Sequence, residues 1–152
     1  MDTAMELAEA VARESIRDLV ARYNAAGDTG DVDTVAALFA QDAVMEVEGT
    51  VFSGREAVRD MFVGVARSTG DERLAEYIRH FTATHQIDMM GPDTANGRCY
   101  YQTLTERGLD HWGRYVDRYA VIDGRWRFVY RRVKIDGLTS GGWCDRMRSR
   151  RN

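Results

Sequence analysis

From residue 77 to residue 135 the sequence keeps a period of two, interrupted only by short turn signals. The segments "RHFTATHQIDMM", "NGRCYYQTLTER", "HWGRYVDRYAVI" and "GRWRFVYRRVKI" predict four successive strands. The stretches "GPDTANG", "RGLD" and "DG" separate them, and Ile122–Asp123–Gly124–Arg125 is a strong hairpin signal. Strands joined by turns this short pair as an antiparallel meander. A sheet of that kind has one face to bury, and the rest of the chain must supply the cover.

The N-terminal half supplies it as helices. Ile16, Leu19, Val20 and Tyr23 fall on one helical face, in a helix expected to begin near Thr3 and to end near Gly27 at "AAGDTGD". Asp31 is a good N-cap for a second, short helix carrying Val35, Leu38 and Phe39. "AVMEVEG" alternates as a strand, and "REAVRDMFVGVARS" predicts a third helix with Val58, Met61, Phe62 and Val65 on one side. Three helices followed by a meander give an α+β domain over residues 1–137. Residues 138–152 read as a loose tail with Trp143 as a candidate anchor and a solvated basic end at Arg146, Arg148, Arg150 and Arg151.

Composition narrows function mainly by exclusion. Hydrophobic residues at 44% and charged residues at 30% suit an ordinary soluble domain. No apolar run approaches the ~20 residues that span a bilayer, and the acidic, amphipathic N-terminus is unlike a secretory signal. A cytoplasmic protein is expected, without membrane contact. A net charge of −3 gives no general attraction to nucleic acid. Cys99 and Cys144 fit no metal or redox spacing and read as two reduced thiols. There is no G-x-G-x-x-G, P-loop, H-E-x-x-H or G-x-S-x-G. Nucleotide, zinc and serine-hydrolase chemistries are therefore disfavoured, no cofactor is expected, and acid–base work by His, Asp, Glu and Tyr remains.

Two of the three histidines lie in one predicted strand, His80 and His85. Their odd separation puts them on opposite faces of a regular strand, so they are not expected to act as a pair. His85 then belongs to the outer face, at a subunit interface. His111, in "LDHWG", is a secondary candidate for ligand contact. On the later strands Cys99, Tyr101, Thr103 and Thr105 share one face, and Gly113, Tyr115, Asp117 and Tyr119 share another. Trp126, Phe128 and Tyr130 read as core or pocket wall, with Arg127 and Arg131 alternating outward. Glu46 and Glu48 read as solvated charges.

The runs "IRDLVARYNAAGDTGDVDTVAALFAQDAVMEVEG", "FSGREAVRDMF", "RHFTATHQI" and "GRYVDRYAVIDGRWRFVYR" together resemble the SnoaL-like group of the nuclear transport factor 2-like superfamily. The resemblance covers roughly residues 12–135 and implies a cone-shaped α+β barrel whose curved antiparallel sheet wraps helices around a deep apolar pocket. Within the superfamily the chain is most similar to the lyases scytalone dehydratase, hexachlorocyclohexane dehydrochlorinase and bile-acid 7α-dehydratase. That likeness implies a histidine base oriented by an aspartate, carried here by His80 and Asp28. It also makes Tyr23 a pocket or oxyanion-hole phenol, and Asp117 the counterpart of the protonated aspartic acid of ketosteroid isomerase.

The departures matter as much. Val47 stands where the dehydratases have a further tyrosine and the isomerase its base, while Thr103 and Thr105 stand where other members carry a second aspartate or histidine. Tyr115, Tyr101, Val47, Thr103, Thr105 and Phe62 are the expected substrate-binding positions. The leading expectation is a cofactor-independent dehydratase acting on a hydrophobic, oxygenated small molecule such as a polyketide, terpenoid or steroid-like compound. A polyketide cyclase or double-bond isomerase, and a non-catalytic ligand-binding protein like a dioxygenase β-subunit, are the alternatives. Relatives of both kinds are dimers or trimers, which implies a homo-oligomer.

Overall fold

The computed structural model describes residues 5–70 and 74–150. The expected helix start near Thr3, and Arg151 of the basic end, lie outside these residues. The elements in order are α1 (Leu7–Thr29), α2 (Val32–Ala37), β1 (Phe39–Val47), β2 (Thr50–Ser53), α3 (Arg55–Gly70), β3 (Ile78–Met89), β4 (Thr94–Thr105), β5 (Gly108–Ile122), β6 (Arg125–Leu138) and α4 (Trp143–Ser149).

The six strands form one curved, unclosed sheet in the order β2-β1-β6-β5-β4-β3. All neighbours are antiparallel except β1 and β6, so the sheet is mixed and not the purely antiparallel one expected. The short strand β2 and the start of β1 at Phe39 carry no clear alternation in the sequence. Gly54, at a φ of 90°, turns the chain from β2 into α3.

α1 ends where Gly30 takes the left-handed conformation, its N–H returning to the carbonyls of Ala26 and Gly27. Asp31 then caps α2 by accepting from the Thr34 N–H at 3.2 Å. The buried face of α1 runs Ala12, Ile16, Leu19, Val20, Tyr23 and Ala26. It packs into the concave side of the sheet beside Phe39 and Phe128, whose rings stack at 5.0 Å. A second apolar cluster forms at the mouth of the cone from Leu74, Ala75, Ile78, Trp143 and Cys144. The tail is therefore not loose. Residues 143–149 fold as α4 against that cluster, and the Arg146 guanidinium donates to the Leu74 carbonyl.

The strand register shifts at five places, and three of these, each an extra residue in one strand, re-aim residues that bear on the site. In β3, Thr84 and His85 together face Cys99, with Thr84 at a φ of 54°. In β5, Asp110 is the additional residue between His111, opposite Thr103, and Leu109, opposite Leu104. In β6, Val129 is skipped between Phe128 and Tyr130. Each bulge reverses the faces of all residues beyond it. His85 thus lies on the concave side with His80, not on the outer face, and its Nε2 is 3.2 Å from the Tyr119 hydroxyl. Arg131 likewise turns inward and is fully buried, correcting its expected outward position. Tyr130 turns out instead and donates to Glu46.

Candidate active site

The helices and the concave sheet face enclose a cavity of about 360 Å³. Its walls are mainly apolar, with Met45, Val47, Phe52, Met61, Phe62 and Val133 among them. Its polar groups are few and come from separate elements.

Asp28 projects from the last turn of α1. The negative end of the helix dipole is a poor place for an anion, and the carboxylate is compensated by two donors from one residue. Its Oδ2 accepts the His80 backbone N–H at 2.9 Å, and its Oδ1 accepts His80 Nδ1–H at 2.6 Å. The main-chain bond fixes where β3 begins relative to α1, and the side-chain bond fixes the imidazole. With Nδ1 protonated toward Asp28, Nε2 carries a lone pair. The His80 side chain keeps 22% exposure against 8% for Asp28, and its ring lines the cavity.

A second aspartate–histidine pair faces the first. His111 meets His80 edge to face, ring centroids 6.0 Å apart. The β5 bulge turns Asp110 and His111 inward together, and Asp110 Oδ2 accepts His111 Nδ1–H at 2.8 Å. Here the other nitrogen is occupied: the Thr103 hydroxyl lies 3.3 Å from Nε2 and donates to it. Burial holds the His111 pKa below its ordinary value, although Asp110 opposes the shift. Burial acts to raise the Asp110 pKa, but bonds from His111 and from the Cys144 and Trp143 amides bring it below the usual value. Asp110 is thus the anchor of α4.

Tyr101 lies between the two histidines, 6.0 Å from His80 and 5.8 Å from His111, and stacks on Tyr115 at 4.5 Å. The Tyr115 hydroxyl donates to Asn24 Oδ1 at 3.3 Å. Tyr23 meets Tyr115 edge-on at 5.9 Å. Desolvation raises the pKa of all three phenols, so they remain protonated donors at neutral pH.

Of the expected positions, the structure gathers His80, Asp28, Tyr23, Tyr115, Tyr101, Val47 and Phe62 around this cavity. Three are not brought to its wall. Asp117 is fully buried in a two-pronged ion pair with Arg131, at 2.8 and 2.7 Å, and also accepts from Tyr119 at 2.7 Å. Asp117 is thus engaged in the core with Arg131 and Tyr119 and does not stand at the cavity wall, where an oxyanion-hole donor would be needed. Thr103 lies behind His111, and Thr105 accepts the Arg107 amide at 3.2 Å. Glu48, expected as a solvated charge, reaches the cavity rim and pairs with Arg148 of α4 at 2.9 Å.

Sequence reasoning missed Asn24, Asp110 and the α4 wall formed by Trp143, Cys144, Met147 and Arg148. Asn24 precedes Asp28 by one helical turn, a spacing that was available as a signal. Asp110 next to His111 was not, because adjacent strand residues share a face only at a bulge. Among the described residues, no trio of His, Cys, Asp or Glu gathers at metal-binding distances, and no helix is long and apolar enough to cross a membrane.

Comparison with known proteins places this architecture. The family of the SnoaL-like domain matches residues 8–132. A protein of unknown function from Mycobacterium tuberculosis is 30% identical, over 86% of this chain and 75% of its own, with a TM-score of 0.72. A putative scytalone dehydratase from Novosphingobium aromaticivorans is similar at 22% identity, 89% and 91% coverage and a TM-score of 0.77. A hexachlorocyclohexane dehydrochlorinase from Novosphingobium barchaimii is similar at 20% identity, 89% and 93% coverage and a TM-score of 0.74. At these last two identities the likeness speaks for the fold. No curated protein matches the sequence.

Proposed function

The chain belongs to the SnoaL-like domain family, and on that premise we propose that it is a cofactor-independent lyase of dehydratase type, acting on a hydrophobic, oxygenated small molecule. The observation that carries this reading is the asymmetry of the two aspartate–histidine pairs. His80 has Nδ1 on Asp28 and an unencumbered Nε2 at the cavity, whereas His111 has both nitrogens engaged.

In the proposed step, Nε2 of His80 removes a proton from a carbon adjacent to a carbonyl or comparable electron-withdrawing group. Asp28 stabilises the resulting imidazolium without taking its proton. The electron pair forms the new double bond and expels the neighbouring hydroxyl. That hydroxyl leaves as water by taking a proton from a cavity phenol, Tyr23 or Tyr115, and the imidazolium proton then restores the phenol. The apolar walls keep water from competing for the base and strengthen the charge interactions inside. Val47 in the place of a carboxylate base, and Asp117 withdrawn into an ion pair, disfavour an isomerase of the ketosteroid kind.

The test is a panel of β-hydroxy carbonyl compounds of polyketide, terpenoid and steroid type, followed by the absorbance of the conjugated product and the release of water. The proposal expects one class to be dehydrated by the parent protein and not by His80→Ala at equal folded concentration. Equal turnover by His80→Ala would overturn it.

A further inference from the structure

Asn24 lines the cavity from within α1 at 7% exposure, and nothing in the proposed elimination uses it. Asparagine is a poor helix former, because its side chain competes with the backbone for hydrogen bonds. A buried amide also costs stability unless its donors and its acceptor are met. Here only one arm is met. Oδ1 takes the Tyr115 hydroxyl proton at 3.3 Å, and the Tyr115 ring is itself fixed by stacking on Tyr101. Nδ2, on the other arm of the same planar group, has no protein partner among the described residues. Packing does not seal it off either, as it seals the unpaired indole nitrogen of Trp143. The open donor of Asn24 therefore faces the cavity.

Asn24 and Asp28 are four residues apart, so they stand one above the other on the cavity side of α1. Asp28 holds the His80 imidazole, and Asn24 presents its N–H groups one turn away. We propose that Asn24 is a substrate-binding residue: its Nδ2 donates to the carbonyl oxygen of the substrate, and the bond strengthens as His80 draws the proton from the adjacent carbon and negative charge moves onto that oxygen. This deepens the lyase reading and rests on it. No proton leaves the amide in this step. The charge on oxygen returns as the electron pair that completes the new double bond and expels the hydroxyl. A neutral donor already in place loses little to reorganisation when the charge appears. Tyr115 thereby has a definite task, which is to turn the amide so that its nitrogen, not its oxygen, meets the cavity. Its proton is then spent on Asn24. Tyr23, which gives its proton to no protein acceptor among the described residues, is left to protonate the departing hydroxyl.

Binding is read without turnover, so failure of this test is separable from failure of the lyase reading. The probes are 2-acetylnaphthalene and 2-isopropenylnaphthalene, which differ only in carrying a carbonyl oxygen or a CH₂ group at the same place. Both are titrated by calorimetry into the unaltered protein, into Tyr115→Phe, and into Tyr115→Phe combined with Asn24→Leu. Neither variant has the Tyr115 hydroxyl, so the two differ in the amide alone. Adding Asn24→Leu is expected to weaken the ketone about tenfold, the worth of one well-placed hydrogen bond, and to leave the alkene unchanged. In the unaltered protein, the proton NMR signals of the Asn24 side-chain amide must also move downfield with the ketone and stay in place with the alkene. This last comparison stands even if the variants do not fold. A ketone that does not bind, equal weakening of both probes, no weakening of either, or amide signals that ignore the ketone would each show that Asn24 only supports Tyr115.

Discussion

His80 and His111 meet at a ring separation of 6.0 Å, His80 resting Nδ1 on Asp28 of α1 and His111 resting Nδ1 on Asp110, its own neighbour in β5. Their carboxylates have different further duties. Asp28 also takes the backbone N–H of its own histidine, so the pair is a rigid unit joining α1 to β3. Asp110 takes the amides of Trp143 and Cys144, so the second pair joins the sheet to α4. One pair presents an imidazole edge to the cavity, and the other ties α4 across it.

Asp28→Asn separates orientation from placement. The asparagine oxygen can still accept the His80 backbone N–H, but its amide donates toward Nδ1 and forces the proton onto Nε2. The base is then lost although the ring stays in place. Turnover is expected to fall by roughly 10²–10⁴-fold. Nitrogen NMR of the histidine should show His80 changing from the Nδ1–H to the Nε2–H tautomer, with no loss of folded protein.

The His111 pair predicts a specific acid sensitivity. Its pKa is below the ordinary 6.5 in the folded state, so below that pH the unfolded chain binds more protons than the native one. Stability contributed by neutral His111 is present above 6.5 and is lost as pH falls through the folded value. Asp110, also lowered, adds a second loss below the usual carboxylate value of 3.8. The melting temperature should therefore decline in two stages on acidification, and His111→Gln should reduce the first, to which His85, its pKa also lowered by burial, contributes the remainder. A first stage unchanged in His111→Gln would assign it to another group.

The helix faces and the order of elements are legible in the sequence because they depend on local periodicity. Ile16, Leu19, Val20 and Tyr23 are buried on one side of α1, and Tyr101, Tyr115 and Tyr119 line the concave sheet face. His85, Arg131 and Asp110 were illegible for one shared reason. Each lies at or beyond a bulge, where one extra residue exchanges inside for outside. A glycine would have marked the left-handed residue in β3, but that position is Thr84. α4 was hidden differently. It has only seven residues, and what holds it is the carboxylate of Asp110, more than thirty positions earlier.

The attachment of α4 can be probed from Gly142, which is not itself a cavity-lining residue. Gly142 has an ordinary negative φ, so alanine there is not strained by backbone conformation. Its Cβ would stand 2.5 Å from Asp110 Oδ1, and Asp110 cannot retreat while it holds His111 and two amides. Gly142→Ala is expected to cost about 2 kcal/mol. Trp143 fluorescence should shift to the red as the indole, stacked at 5.9 Å on His111, is released toward water. Gly124→Ala at the exposed hairpin meets no neighbouring atom and should leave Trp143 emission unchanged.

The bulge in β3 can be tested by relieving it. Thr84 is exposed and sits at a φ of 54°, where a β-branched residue is strained by roughly 1–2 kcal/mol. Glycine removes that strain and gives back about 0.5–1 kcal/mol through the greater freedom of the unfolded chain. Thr84→Gly should therefore stabilise the fold by about 0.5–1 kcal/mol. Thr82, also exposed and two residues earlier, pairs regularly with Tyr101, and Thr82→Gly should destabilise by about 1 kcal/mol. Denaturant melts of the two variants should thus move in opposite directions from the parent. If Thr84→Gly also destabilises, the bulge at Thr84–His85 is not where the strand changes face, and the inward placement of His85 fails with it.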